Sequence, residues 1–139
     1  MADGQIGAGR GDSGSQALDR GVPPQKILRR AAQLVARGWC QGAVARGKGG
    51  REVLVTAPSA RKWCLAGAIM RAVHELSIQH GKRCGASCLC WSRQWGAFFG
   101  ESAPGLGWAV DWNDAKERTG NQVVARLRQA AKNCPEGQN

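Results

Sequence analysis

His80, Cys84, Cys88 and Cys90 form the one constellation in this 139-residue chain with the chemistry of a metal site. Three soft thiolates and an imidazole suit tetrahedral zinc. Their spacing, His-x3-Cys-x3-Cys-x-Cys, is not that of the usual paired zinc knuckle. The expectation is therefore no metal, with zinc on these four residues as the alternative. A second group, Trp112-Asn113-Asp114 followed by Arg118-Thr119, carries the residue types of an active site, with Asp for acid–base work and Asn for positioning. No second carboxylate, paired His or nucleophile stands at a catalytic spacing from it. Asn and Asp also favour turns by bonding their own backbone, Thr119 is placed to cap a helix, and an Asp114–Arg118 pair could brace the turn. The structural account is preferred, so no catalytic residue is assigned. The alternative is a small enzyme using Asp114, Asn113 and Arg118 beside Trp112.

Two further pairs, Trp39-Cys40 and Trp63-Cys64, could come together as a redox couple. Buried cysteine behaves as a small hydrophobe, no Cys-x-x-Cys is present, and nothing nearby in sequence lowers a thiol pKa. Core packing is the expectation for all four residues. His74, at the end of a helix, reads as a surface or capping residue. Gly47-Lys48-Gly49-Gly50 lacks the Gly-x4-Gly-Lys-Ser/Thr form and is read as a flexible basic loop, and Arg10-Gly11-Asp12-Ser13 as a chance match to a cell-adhesion tetrapeptide. No cofactor is expected.

The net charge of +10 is uneven: residues 1–24 sum to −1, 25–76 to +8, 77–108 to +2 and 109–139 to +1. A basic surface attracts phosphates by releasing counterions, without sequence preference. The candidate contact residues are Arg29, Arg30, Arg37, Arg46, Lys48, Arg51, Arg61 and Lys62. Against this stands a coding bias: Arg outnumbers Lys 14 to 6 and Tyr is absent, as in GC-rich sequences.

These side chains need elements to hold them. Residues 1–23, rich in Gly and poor in large apolar side chains, read as a disordered tail. Residues 24–132 then form one domain and 133–139 a polar C-terminal tail. Pro23-Pro24 opens a helix over 24–37, whose stripe is Ile27, Leu28, Ala31, Leu34 and Val35. Gly38 is expected in a left-handed cap, with Trp39 folded back on the last turn. Residues 45–51 read as loop, and Glu52–Thr56 as a short strand. A second helix is expected after Pro58 and Ser59, burying Trp63, Gly67 and Met70, with Gly67 permitting close helix approach. Residues 77–107 lack a clean period and read as an irregular insertion, with one helical turn through Trp91, Trp95 and Phe98–Phe99. Thr119-Gly120-Asn121-Gln122 has the form of a capping box for a third helix. The fold class is mainly all-α, a small three- to four-helix domain. No basic-then-apolar leader is seen, and no apolar run is long enough to span a bilayer. The chain is therefore expected to be soluble and cytoplasmic, without membrane contact and with its six cysteines reduced.

Three blocks of sequence recur in a familiar order: Arg37-Gly38-Trp39-Cys40-Gln41-Gly42-Ala43, Trp63-Cys64-Leu65-Ala66-Gly67-Ala68, and Trp112-Asn113-Asp114 with Arg118-Thr119. In these the chain resembles a family of small uncharacterised bacterial and phage proteins, a domain of unknown function. The resemblance implies a shared helical fold and a bacterial or phage origin, and it brings no activity. The functional expectation is a non-enzymatic basic interaction module whose partner is an acidic protein or nucleic acid.

Overall fold

The computed structural model describes residues 22–79, 96–101 and 106–134. Residues 1–21 of the expected N-terminal tail, the zinc alternative on His80, Cys84, Cys88 and Cys90, the Trp91 and Trp95 turn and the last five residues lie outside this range. Val22 and Pro23 of that tail lie within it, and Val22 is buried.

The order of elements is α1 (Pro24–Arg37), β1 (Ala45–Arg46), a 3-10 turn (Lys48–Gly50), β2 (Lys62–Trp63), α2 (Leu65–Gln79), α3 (Gly107–Asn113) and α4 (Gly120–Asn133). The domain is mainly helical, with one two-stranded ribbon. Helix α1 runs over the residues its Pro-Pro start and apolar period dictate. Pro24 fills the first turn, where its missing N–H costs nothing. Val22 and Ile27 take the two positions of a hydrophobic staple across the helix start, and both are buried. Ile27, Leu28, Ala31, Leu34 and Val35 form the inward stripe and pack against α2 and α4.

Gly38 ends α1 differently from expectation. Its φ is −172°, an extended backbone open to any residue, and its N–H closes the last turn on the Leu34 carbonyl at 3.1 Å. Glycine is required there by proximity, because a Cβ would run into the Arg61 carbonyl. The chain then meets the second tryptophan segment. Trp39 bridges Trp63 in parallel, and Ala45 and Arg46 pair antiparallel with Trp63 and Lys62.

The ribbon therefore uses 45–46 and 62–63 in place of the expected strand over Glu52–Thr56. That segment contributes a single bridge, Glu52 to Arg46, and a bond from Val53 N–H to the Ala45 carbonyl. The loop up to Ala57 is held by Arg71, which donates to the carbonyls of Val55 and Ala57 at 2.9 and 3.0 Å.

Helix α2 starts at Leu65, later than its Pro58-Ser59 punctuation suggests, because residues 58–59 form a turn and residues 62–63 pair into the ribbon. Trp63 is buried from β2, and Met70 is only half-buried. Gly67 does permit a close approach, but to a loop: a Cβ there would collide with the Val44 carbonyl. Helices α1 and α2 are also clamped by charge. Glu75 accepts from Arg30 at 2.7 Å and from Arg71 at 2.8 Å.

Helix α4 has the capping box that its sequence announces. Gln122 N–H donates to Thr119 Oγ1 at 3.2 Å, and Thr119 N–H donates to Gln122 Oε1 at 2.9 Å. Val123, Leu127, Ala130 and Ala131 turn inward from it. No helix among the described residues is long and apolar enough to cross a membrane.

Candidate functional site

Asn113, the last residue of α3, is completely buried, and every hydrogen-bonding position of its side chain is used. Its Oδ1 accepts from the Trp39 indole at 2.8 Å and from Leu65 N–H at 3.0 Å. Its Nδ2 donates to the Cys40 carbonyl at 3.0 Å and to Asp114 Oδ1 at 2.9 Å. One amide thus joins the segment after α1, the start of α2 and the end of α3. The first N–H of a helix has no intrahelical partner, and here a side chain from elsewhere in the chain supplies one. Cys64 completes that helix end, its sulfur accepting from Gly67 N–H at 3.2 Å.

Gln41 adds a second tie, donating to the carbonyls of Asn113 and Ala115, both at 3.0 Å. Asp114 accepts from Gly42 N–H at 3.1 Å. Arg118 does not pair with Asp114. It donates to the Trp112 carbonyl at 2.9 Å and lays its guanidinium 3.8 Å from the Trp112 ring centroid. Arg126 approaches the same ring at 4.8 Å and also donates to Glu101 at 3.1 Å. Trp39, in turn, lies against Gly120 at the start of α4.

The fold brings together the four residues of the enzymatic alternative, but as a clasp. Asn113 has no capacity left for a substrate, and Asp114 Oδ1 is committed to Asn113 and Gly42. Three partners in this clasp, Trp39, Gln41 and Leu65, carry no local signal of their role. They lie 48 to 74 residues from the groups they bond.

The three cysteines among the described residues, Cys40, Cys64 and Cys134, are buried. The backbone sets Cys40 beside the second tryptophan segment, with its N–H on the Trp63 carbonyl at 3.3 Å. Burial, reinforced by nearby Cys64, pushes the Cys40 thiol up to about 11. Burial also raises Cys64, and it raises Cys134 to about 11. All three are held as protonated thiols at neutral pH, which is the opposite of what a nucleophile needs. Among the described residues no group of three or more His, Cys, Asp or Glu could hold a metal.

The basic residues divide by what they touch. Arg30 is spent on Glu75 and Gln33, and Arg46 on the carbonyls of Gly50 and Gln41. Arg37, Lys48, Arg51, Arg61 and Lys62 are exposed, with no carboxylate partner among the described residues. The ribbon gathers them. Arg46 stands opposite Lys62, Arg61 N–H donates to the Arg46 carbonyl at 2.8 Å, and Gly38 abuts Arg61 and Lys62. A depression of about 330 Å³ beside the 3-10 turn is lined by Gly47, Lys48, Arg51, Val53 and Ser59. Arg29 stands apart from this group, on the face of α1 next to α4.

Fold and clasp together define a small helical domain closed by a buried asparagine, with a cationic ribbon on its surface. The chain belongs to a family of unknown function (DUF6197), whose model matches residues 19–133. No curated protein and no solved structure matches it.

Proposed function

We propose that this domain is a non-enzymatic interaction module that holds an acidic partner, a nucleic acid or an acidic protein, on its ribbon face. The observation that carries the reading is the contrast among its cations. Arg30, Arg46, Arg71, Arg118 and Arg126 are each engaged with the protein itself, whereas Arg37, Lys48, Arg51, Arg61 and Lys62 are exposed and have no carboxylate partner among the described residues. Surfaces usually intersperse charges of both signs, and a single-sign field attracts counter-charged partners. Two carboxylates lie close by: Glu52, bridged to Arg46, and Asp114, whose Oδ1 is already bonded to Gly42 and Asn113. Contacts of this kind position a phosphate backbone and read no sequence. A cytoplasmic setting, expected from the sequence, suits both the partner and the three buried thiols.

The alternative of an enzyme on Trp112, Asn113, Asp114 and Arg118 would have to free groups that now hold the fold together. The test is binding of the reduced full chain to short single- and double-stranded DNA and RNA, and to polyglutamate, at two salt concentrations. Affinity should fall steeply with salt. Neutralising Arg61→Gln and Lys62→Gln should lower the salt slope by about 1 for each cation that meets a phosphate. No binding to either polymer at low salt would refute the proposal.

A further inference from the structure

Helices α1 and α4 pack side by side, and neither contains an Asp or a Glu. Between them lies a cleft of about 340 Å³ lined by Arg29, Ala32, Gln33, Arg128, Ala131 and Lys132. Ala32 and Ala131 are buried and form its floor. Arg29, Gln33, Arg128 and Lys132 are exposed along its walls.

We propose that this cleft is a binding site for a small molecule bearing a phosphate monoester, a site separate from the ribbon face. Three cations from two helices converge on it, with no carboxylate among its described lining residues. A guanidinium presents a planar fork of donors that matches phosphate oxygens two at a time, and Arg29 and Arg128 offer two such forks. Lys132 sits in the last turn of α4, where its charge also meets the negative end of the helix dipole. That role is not open to Arg29, in the first half of α1.

Gln33 supplies the neutral donor. Arg30 Nη1 donates to Gln33 Oε1 at 3.1 Å, and Arg30 is itself fixed by Glu75 at 2.7 Å. With its oxygen occupied, the Gln33 amide has its NH₂ left to give. The site is thus set from behind by a chain running Glu75, Arg30, Gln33. The volume is at the small end of the range for ligand pockets and suits a compact ligand rather than a polymer groove.

The experiment is titration of the full chain with inorganic phosphate, glycerol 3-phosphate and glycerol, followed by backbone amide shifts. The expected result is saturable binding of both phosphates and none of glycerol, with shifts centred on residues 29–33 and 128–132. Arg128→Gln should weaken binding about tenfold or more. Gln33→Glu, which keeps its bond to Arg30 but removes the amide donor and sets a carboxylate against the phosphate, should abolish it. Both variants should keep the dispersion of the wild-type amide spectrum, which separates loss of the site from loss of the fold. Arg61→Gln should leave it unchanged. A linear, unsaturable response, or an equal loss in Arg61→Gln, would mean diffuse charge and overturn the proposal. So would capture of oligonucleotides at these residues with no binding of glycerol 3-phosphate. Failure of the ribbon reading appears separately, as polymer binding indifferent to Arg61 and Lys62.

Discussion

Asn113 shows how a residue with the look of a catalyst can be consumed by the fold. An amide at this point accepts two bonds and donates two, and no other side chain of its size does both. Asn113→Asp keeps the shape but loses both donors. It would set a carboxylate against the Cys40 carbonyl and Asp114, so deprotonation would leave a buried, uncompensated charge. The expected cost is about 3–5 kcal/mol, read as a lower midpoint in urea unfolding. Asp114→Asn, at an exposed position, should cost about 1 kcal/mol or less by the same measurement, since an amide oxygen still accepts from Gly42. Equal effects of the two substitutions would argue against the clasp. From sequence, the residue types at 112–114 and their turn-forming character were readable. The distant partners of Asn113, namely Trp39, Cys40, Gln41 and Leu65, were not, because hydrogen bonds across dozens of residues leave no local pattern.

Elements were legible where their ends are written in neighbouring residues. Pro24 and the capping box of Thr119 and Gln122 mark α1 and α4 to within a residue, because both signals act within one turn. The start of α2 was misread because Pro58 and Ser59 resemble a helix entry, while the ribbon that claims residues 62–63 depends on a partner strand elsewhere. Gly67 belongs to the same lesson. Helix propensity alone favours Gly67→Ala by about 1 kcal/mol. The Val44 carbonyl reverses the sign, and a net destabilisation of about 1–3 kcal/mol is expected from thermal or denaturant unfolding.

The clamp between α1 and α2 gives a pH dependence. Burial works to raise the Glu75 carboxyl, but hydrogen bonds from Arg30 and Arg71 outweigh it and hold the group below its ordinary 4.5. A depressed folded value means stability that is present above 4.5 and lost as pH falls through the lower folded value. At 25% exposure the contribution is about 1–2 kcal/mol, allowing for solvent. Glu75→Gln should therefore lower stability at neutral pH and flatten its fall in acid, measured by unfolding across that range. Unchanged acid sensitivity in the variant would remove the clamp from the account.

At the scale of the whole molecule, the sequence predicted a mainly helical single domain with its positive charge concentrated in the first half. The helical domain is what the structure describes. The charge is better understood as three populations: arginines that tie loops and helices, a ribbon face, and the walls of the α1–α4 cleft. That division could not be read from a list of basic residues, because it depends on which of them finds a carbonyl or carboxylate in three dimensions. Arg128 and Lys132 belong to a cleft whose other wall is about 100 residues away, at Arg29 and Gln33.

The clasp also bears on how the chain reaches this state. Helices form from near neighbours in well under a millisecond, and a helix-rich domain is ordinarily a fast folder with low contact order. Here one amide waits on groups 48 to 74 residues away, so the ends of a long stretch of chain must meet before it is satisfied. Closure of Asn113 is then a late event. Its loss would shorten the lifetime of the folded molecule far more than it would delay its formation.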